Sequence, residues 1–94
     1  MVIVWKSSAQ EKFYQQIEWY RYFRGEDFVR SFYENVTETV AQIAVMPSIG
    51  RLERTYKTKA MRSFLTHPRC RIYYKYNEEV VEIVRLYFNS KENG

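Results

Sequence analysis

Little in this chain supports metal or disulfide chemistry. It has one cysteine and one histidine in 94 residues, which excludes an internal disulfide and any zinc site built on cysteines. No clustered carboxylates offer a hard cation a site instead. Glycine occurs three times and proline twice, and no repeat, linker or biased segment divides the sequence. No apolar run approaches the roughly 18 residues of a membrane span, and no charged-then-apolar leader opens the chain. These absences lead us to expect a cytoplasmic protein with no cofactor and no membrane partner. Residues 1–94 are expected to form one domain.

What is abundant is apolar and aromatic material, 46% and 18% of the residues. A chain this short buries a modest share of its surface, so its core must be dense. The formal net charge of +4 hides an asymmetry. Residues 1–50 hold five cations against six anions, whereas residues 51–94 hold ten against five. Residues 51–75 carry eight cations, from Arg51 and Arg54 through Lys57, Lys59 and Arg62 to Lys75, against Glu53 alone. Such a local imbalance fits either a polyanionic or acidic partner or a solvated basic surface.

The N-terminal half has a helical period. Val2–Trp5 is a short β-branched run and reads as a strand. Ser8 with Glu11 has capping-box spacing, and Ala9, Phe13, Ile17 and Tyr20 form one apolar stripe. Gly25 closes that helix, and Glu26 and Asp27 favour the positive start of the next one. Phe28, Phe32, Val36, Val40 and Ile43 supply the second stripe, which Pro47 ends. The short connection makes the pair an antiparallel hairpin. The aromatics Phe13, Tyr14, Trp19, Tyr20, Phe32 and Tyr33 are assigned to the core or to helix packing.

The C-terminal half has a period of two. Ser48–Ala60 is expected to be a loop with a short strand, and Met61–Leu65, Cys70–Tyr76 and Val80–Phe88 are strands. The predicted order is β-α-α-β-β-β, an α+β domain whose helical hairpin covers one face of a mostly antiparallel four-stranded sheet. Alternation in Cys70–Tyr76 sets Arg71, Tyr73 and Lys75 against Ile72, Tyr74 and Tyr76. A two-residue turn, Glu78–Glu79, would pair Lys75 with Glu82 but send Arg85 toward the helices. A three-residue turn, Asn77–Glu79, would gather Arg71, Tyr73, Lys75, Arg85 and Tyr87 on the open face and bury Glu82. The second is preferred, because burying Arg85 deep in the sheet is costly. That open face, flanked by Arg62, Lys57 and Lys59, would combine cations for phosphates with aromatic planes for bases.

The order and spacing of "VIVW", the Ala9–Tyr20 stripe, "MPSIG", "MR", "RIYYKY" and "VVEIVRLYFNSKEN" resemble the RelE/ParE superfamily of type II toxin–antitoxin toxins over nearly the whole chain. The resemblance implies a small cytoplasmic bacterial toxin that a cognate antitoxin wraps and neutralises. One branch of that superfamily cleaves mRNA in the ribosomal A site; the other poisons DNA gyrase and lacks the catalytic set.

The resemblance also implies roles for particular residues. Arg71 matches the arginine of the penultimate strand, which contacts the scissile phosphate in RNA-cleaving members. Arg62 matches the arginine that begins the preceding strand and is structural or catalytic. Lys91 falls near the C-terminal basic position, where RNA-cleaving members carry Arg or a His–Tyr pair. Lys57 and Lys59 sit about one residue out of register with a lysine pair of one such member. The superfamily's Glu and His acid/base groups have no counterpart.

Candidate proton carriers are therefore few. His67 titrates near neutrality, and is either a turn residue or a catalyst. Tyr87 could donate a proton if arginines depress its pKa, packing being the alternative. Glu53 is a candidate base or the partner of Arg51 or Arg54. Cys70, between two arginines, is a stabilised thiolate or a half-buried strand residue. Arg54, Lys57, Lys59, Arg62, Arg71, Lys75 and Arg85 are the candidate nucleic-acid contacts. Ribosome-bound mRNA and DNA gyrase are the two candidate targets, with a non-toxic nucleic-acid-binding member as a further reading.

Overall fold

A computed structural model of the chain describes residues 1–54, 61–67 and 69–88. Val2–Trp5 forms β1, and the chain then enters α1, Ser7–Arg24. The expected capping box does not form. The helix starts two residues earlier, with Lys6 as an extended N-cap and no side-chain cap. The Lys6 carbonyl takes the Gln10 amide at 3.0 Å, so Ser8 lies inside the first turn. Glu11 accepts from Gln15 instead.

The stripe Ala9, Phe13, Ile17 and Tyr20 is buried as its spacing requires. Gly25 ends α1 at φ 87°, with its amide on the Tyr20 carbonyl. Helix α2, Glu26–Val45, leaves the same glycine with Glu26 and Asp27 in its first turn. Its buried side is Val29, Phe32, Val36, Thr39, Val40 and Ile43. Phe28 is only half-buried, with its ring against Tyr20. The aromatic assignments divide. Phe13, Tyr20 and Phe32 are core. Tyr33 is partly exposed but stacks on Phe13 across the two helices, while Tyr14 and Trp19 remain exposed, with their rings beside Phe13 and Phe23 of their own helix.

A 3-10 turn at Pro47–Ile49 leads into β2, Arg51–Leu52, then β3, Arg62–His67, β4, Cys70–Tyr76, and β5, Val80–Phe88. The sheet has five strands rather than four, in the order β1-β5-β4-β3-β2. Strand β1 runs parallel to β5, and the other pairs are antiparallel. Both helices cover one face. Ile72, Tyr74, Val81 and Ile83 are fully buried beneath them, each such side chain contributing about 1.5–3 kcal/mol of transfer free energy.

The β4–β5 hairpin combines features of both expected turns. Near its tip the register is that of the two-residue turn, with Lys75 opposite Glu82 and Tyr76 opposite Val81. Asn77 closes it, its side-chain carbonyl accepting from the Glu79 and Val80 amides at 2.8 Å. The register then shifts between Tyr73 and Tyr74, and Tyr73 faces Arg85 while Arg71 faces Tyr87. Val84 is the extra residue of a β-bulge. Val81 and Ile83 therefore point into the core, contrary to the preferred three-residue turn. Glu82 faces out beside Lys75, and Arg85 and Tyr87 still reach the open face.

A second bulge lies at Thr66, between Leu65 and His67. It turns Thr66 and His67 both toward α2. The Thr66 hydroxyl donates to the Asn35 carbonyl at 2.9 Å and lies 2.6 Å from the Thr39 hydroxyl, fastening β3 to α2.

Candidate functional site

The face of the sheet that the helices leave uncovered holds Arg71, Tyr73 and Lys75 of β4 with Arg85 and Tyr87 of β5. Register makes Arg71 the direct neighbour of Tyr87, and Tyr73 that of Arg85. The Arg85 guanidinium lies 5.7 Å from the Tyr73 ring centre and 5.9 Å from that of Tyr87. Such cation–π contacts contribute about 0.5–1 kcal/mol each at exposed sites and hold a cation between two aromatic planes. Between the bulged half of β5 and α1 runs a cleft of about 350 Å³, with Lys12, Arg85 and Tyr87 among its lining residues.

A chain of polar contacts runs behind this surface. Arg71 Nη1 donates to the Ser63 hydroxyl at 2.9 Å. Ser63 in turn donates to Glu53 Oε2, which also accepts from Arg51 Nε at 2.8 Å. Ser63 is 1% exposed and Glu53 9%. The Ser63 hydroxyl first, and the Arg51 guanidinium second, hold the Glu53 carboxyl below its ordinary range. Glu53 is thus an anion with committed lone pairs, and its salt bridge is with Arg51 rather than Arg54. Arg54 is exposed.

Other sequence-based candidates lie elsewhere. Arg62 pairs across the ladder with Tyr74, on the helix-covered side, and does not flank the open face. Its Nη1 donates to the Gly50 carbonyl at 2.7 Å, tying β3 to the turn before β2. His67 is the end of β3 rather than a turn residue, and its ring packs edge-on against Phe28 and Phe32. Its Nδ1 accepts the Arg69 amide at 3.3 Å. Burial, and secondarily Arg69, pushes its pKa down. Cys70 is a buried strand residue, and burial pushes its thiol up to about 12, the opposite of a stabilised thiolate. Lys57, Lys59 and Lys91 lie outside the described residues. Among the described residues no group of His, Cys, Asp and Glu could hold a metal, and no helix is long and apolar enough to cross a membrane.

Sequence reasoning missed the Ser63 connection. The signal was present only as alternation, which puts Ser63 on the same side as the residue across from it, Tyr73.

Several solved structures share this fold. The chromosomal ParDE toxin–antitoxin system from P. aeruginosa superposes with a TM-score of 0.72 at 17% identity, covering 94% of this chain and 95% of that one. The YoeB/ParE toxin from Agrobacterium tumefaciens gives 0.65 at 14% identity, covering 95% and 99%. YafQ from E. coli gives 0.55 at 10% identity, covering 98% and 97%. No curated protein sequence matches. Residues 3–89 match the family described as the ParE toxin of the type II toxin–antitoxin system parDE. The chain therefore belongs to the ParE toxins of type II toxin–antitoxin systems.

Proposed function

We propose that this toxin arrests growth by binding DNA gyrase rather than by cutting RNA, and that a cognate antitoxin neutralises it. The observation that carries this reading is the placement of the two candidate bases, Glu53 and His67. Cleavage by ribose 2′-hydroxyl attack needs a base whose pKa lies near the working pH. The carboxylate nearest Arg71 through hydrogen bonds, Glu53, is held low by two donors. His67 packs on the opposite side of the sheet, against α2. What the open face offers is binding chemistry: guanidinium groups and tyrosine planes.

Those same groups support a second reading, in which Arg71 meets a phosphate and Tyr73 and Tyr87 stack on bases of ribosome-bound mRNA. One pair of assays separates the two. The toxin, freed of its antitoxin, is added to a gyrase supercoiling reaction and to a translating extract analysed by primer extension. Loss of supercoiling with intact message is the expected result. Codon-phased cuts in the message with normal supercoiling would establish RNA cleavage instead. Arg71→Ala should lower activity at least tenfold in whichever assay responds, consistent with loss of a charge-assisted contact.

A further inference from the structure

We propose that Glu53 and Ser63 are positioning residues for Arg71, acting as a relay that fixes how its guanidinium is presented on the open face. The inference rests on the reading that Arg71 belongs to the target-contact surface.

The argument starts from the single proton of the Ser63 hydroxyl. That oxygen accepts from Arg71 Nη1 at 2.9 Å, so its own proton is free to go to Glu53 Oε2. Glu53 accepts on the same oxygen from Arg51 Nε at 2.8 Å, as an ionised carboxylate does. Ser63, at 1% exposed, has no room to satisfy these groups with bulk water. The direction of every hydrogen bond from Glu53 to Arg71 is thereby set. Burial of Ser63 and Glu53 makes the arrangement costly to break, since an unmet partner would be left inside.

The serine also acts as a spacer. A carboxylate paired directly with Arg71 would cancel its charge, and among the described residues none does so. A neutral hydroxyl instead orients one edge of the guanidinium and leaves its charge for a partner. Four of the five N–H donors of an arginine remain once one is spent. Fixing the side chain before contact removes part of the ordering entropy of binding.

A double-mutant cycle on the antitoxin-free toxin tests the relay, read as the concentration giving half-maximal inhibition of the target. Ser63→Ala and Glu53→Gln should each weaken inhibition roughly tenfold, and Arg71→Ala more than either. Ser63→Ala should add nothing in the Arg71→Ala background, which a purely structural role for Ser63 would not produce. Full inhibition by Arg71→Ala would sink the reading of the face itself. Impaired Arg71→Ala beside a folded, fully inhibitory Ser63→Ala would sink the relay alone. Should Ser63→Ala not fold, the arginine side-chain NMR signals of the unaltered toxin decide. Slow rotation of the Arg71 guanidinium supports the relay, and free rotation overturns it.

Discussion

An alanine at Gly50 would place its Cβ 2.5 Å from the Tyr74 hydroxyl oxygen and 2.7 Å from the Ser63 carbonyl oxygen. That hydroxyl donates to the Pro47 carbonyl at 2.6 Å and accepts the Gly50 amide at 2.8 Å, so it has little freedom to yield. Gly50→Ala should therefore cost about 1–3 kcal/mol through overpacking. Tyr74→Phe should cost about 1–3 kcal/mol by stranding two backbone groups. At Gly25 the space is open but φ is 87°, and Gly25→Ala should cost about 1–3 kcal/mol through backbone strain. Denaturant unfolding of the three variants checks these values. Adding Tyr74→Phe to Gly50→Ala should cost less than the sum, because both disturb one contact; Gly25→Ala should simply add to either.

Among the elements, the strands show how far alternation carries and where it stops. The boundaries Cys70–Tyr76 and Val80–Phe88 were legible because both segments are rich in Ile, Val and Tyr and turn residues separate them, and the helical stripes because spacings of three and four residues repeat. Side-chain direction was legible only up to a bulge. Period two alone sends His67 out with Leu65 and Arg85 in with Ile83; Thr66 and Val84 each add one residue and reverse the assignment. Neither bulge has a glycine or other composition mark, so the cost of burying Arg85 was the available signal, and it selected the right face with the wrong turn. Ser8 failed as a cap for a related reason: Lys6 leaves β1 already extended, with its amide on the Ile83 carbonyl, and the helix starts from there. Deleting Val84 should rotate Arg85 toward the core and abolish the cooperative thermal transition seen by circular dichroism. Val84→Ala, which keeps the residue count, should preserve it. A deletion variant that melts normally would show that the bulge does not sort the faces.

For the molecule as a whole, acid should be the destabilising direction. Burial holds His67 below its ordinary 6.5, and Ser63 and Arg51 hold Glu53 below 4.5. In each case the unfolded chain takes up its proton at a higher pH than the folded one, so stability rises with pH across the gap. Both contributions are complete above about pH 6.5. The His67 contribution is lost first as pH falls toward its lowered folded value, and that of Glu53 follows below pH 4.5. Melting temperature measured between pH 4 and 8 should show the upper step in the natural chain and lose it in His67→Gln. A step that survives the substitution would assign it to another group.

The parallel pairing of β1 with β5 brings Val2 beside Val80, so β1 waits during synthesis for a strand far behind it in the chain. Until residues 80–83 emerge, β1 lacks its neighbour, and α1 lacks the strand that α1 packs on. Closing so long a loop is the slow, late event of such a topology. Chains halted before residue 80 should be cut readily by protease while still tethered, and released ones should not stop growth. Because β1 pairs, among the described residues, only with β5, toxicity should be confined to chains that carry residues 80–83, and a message interrupted before them should yield an inert product.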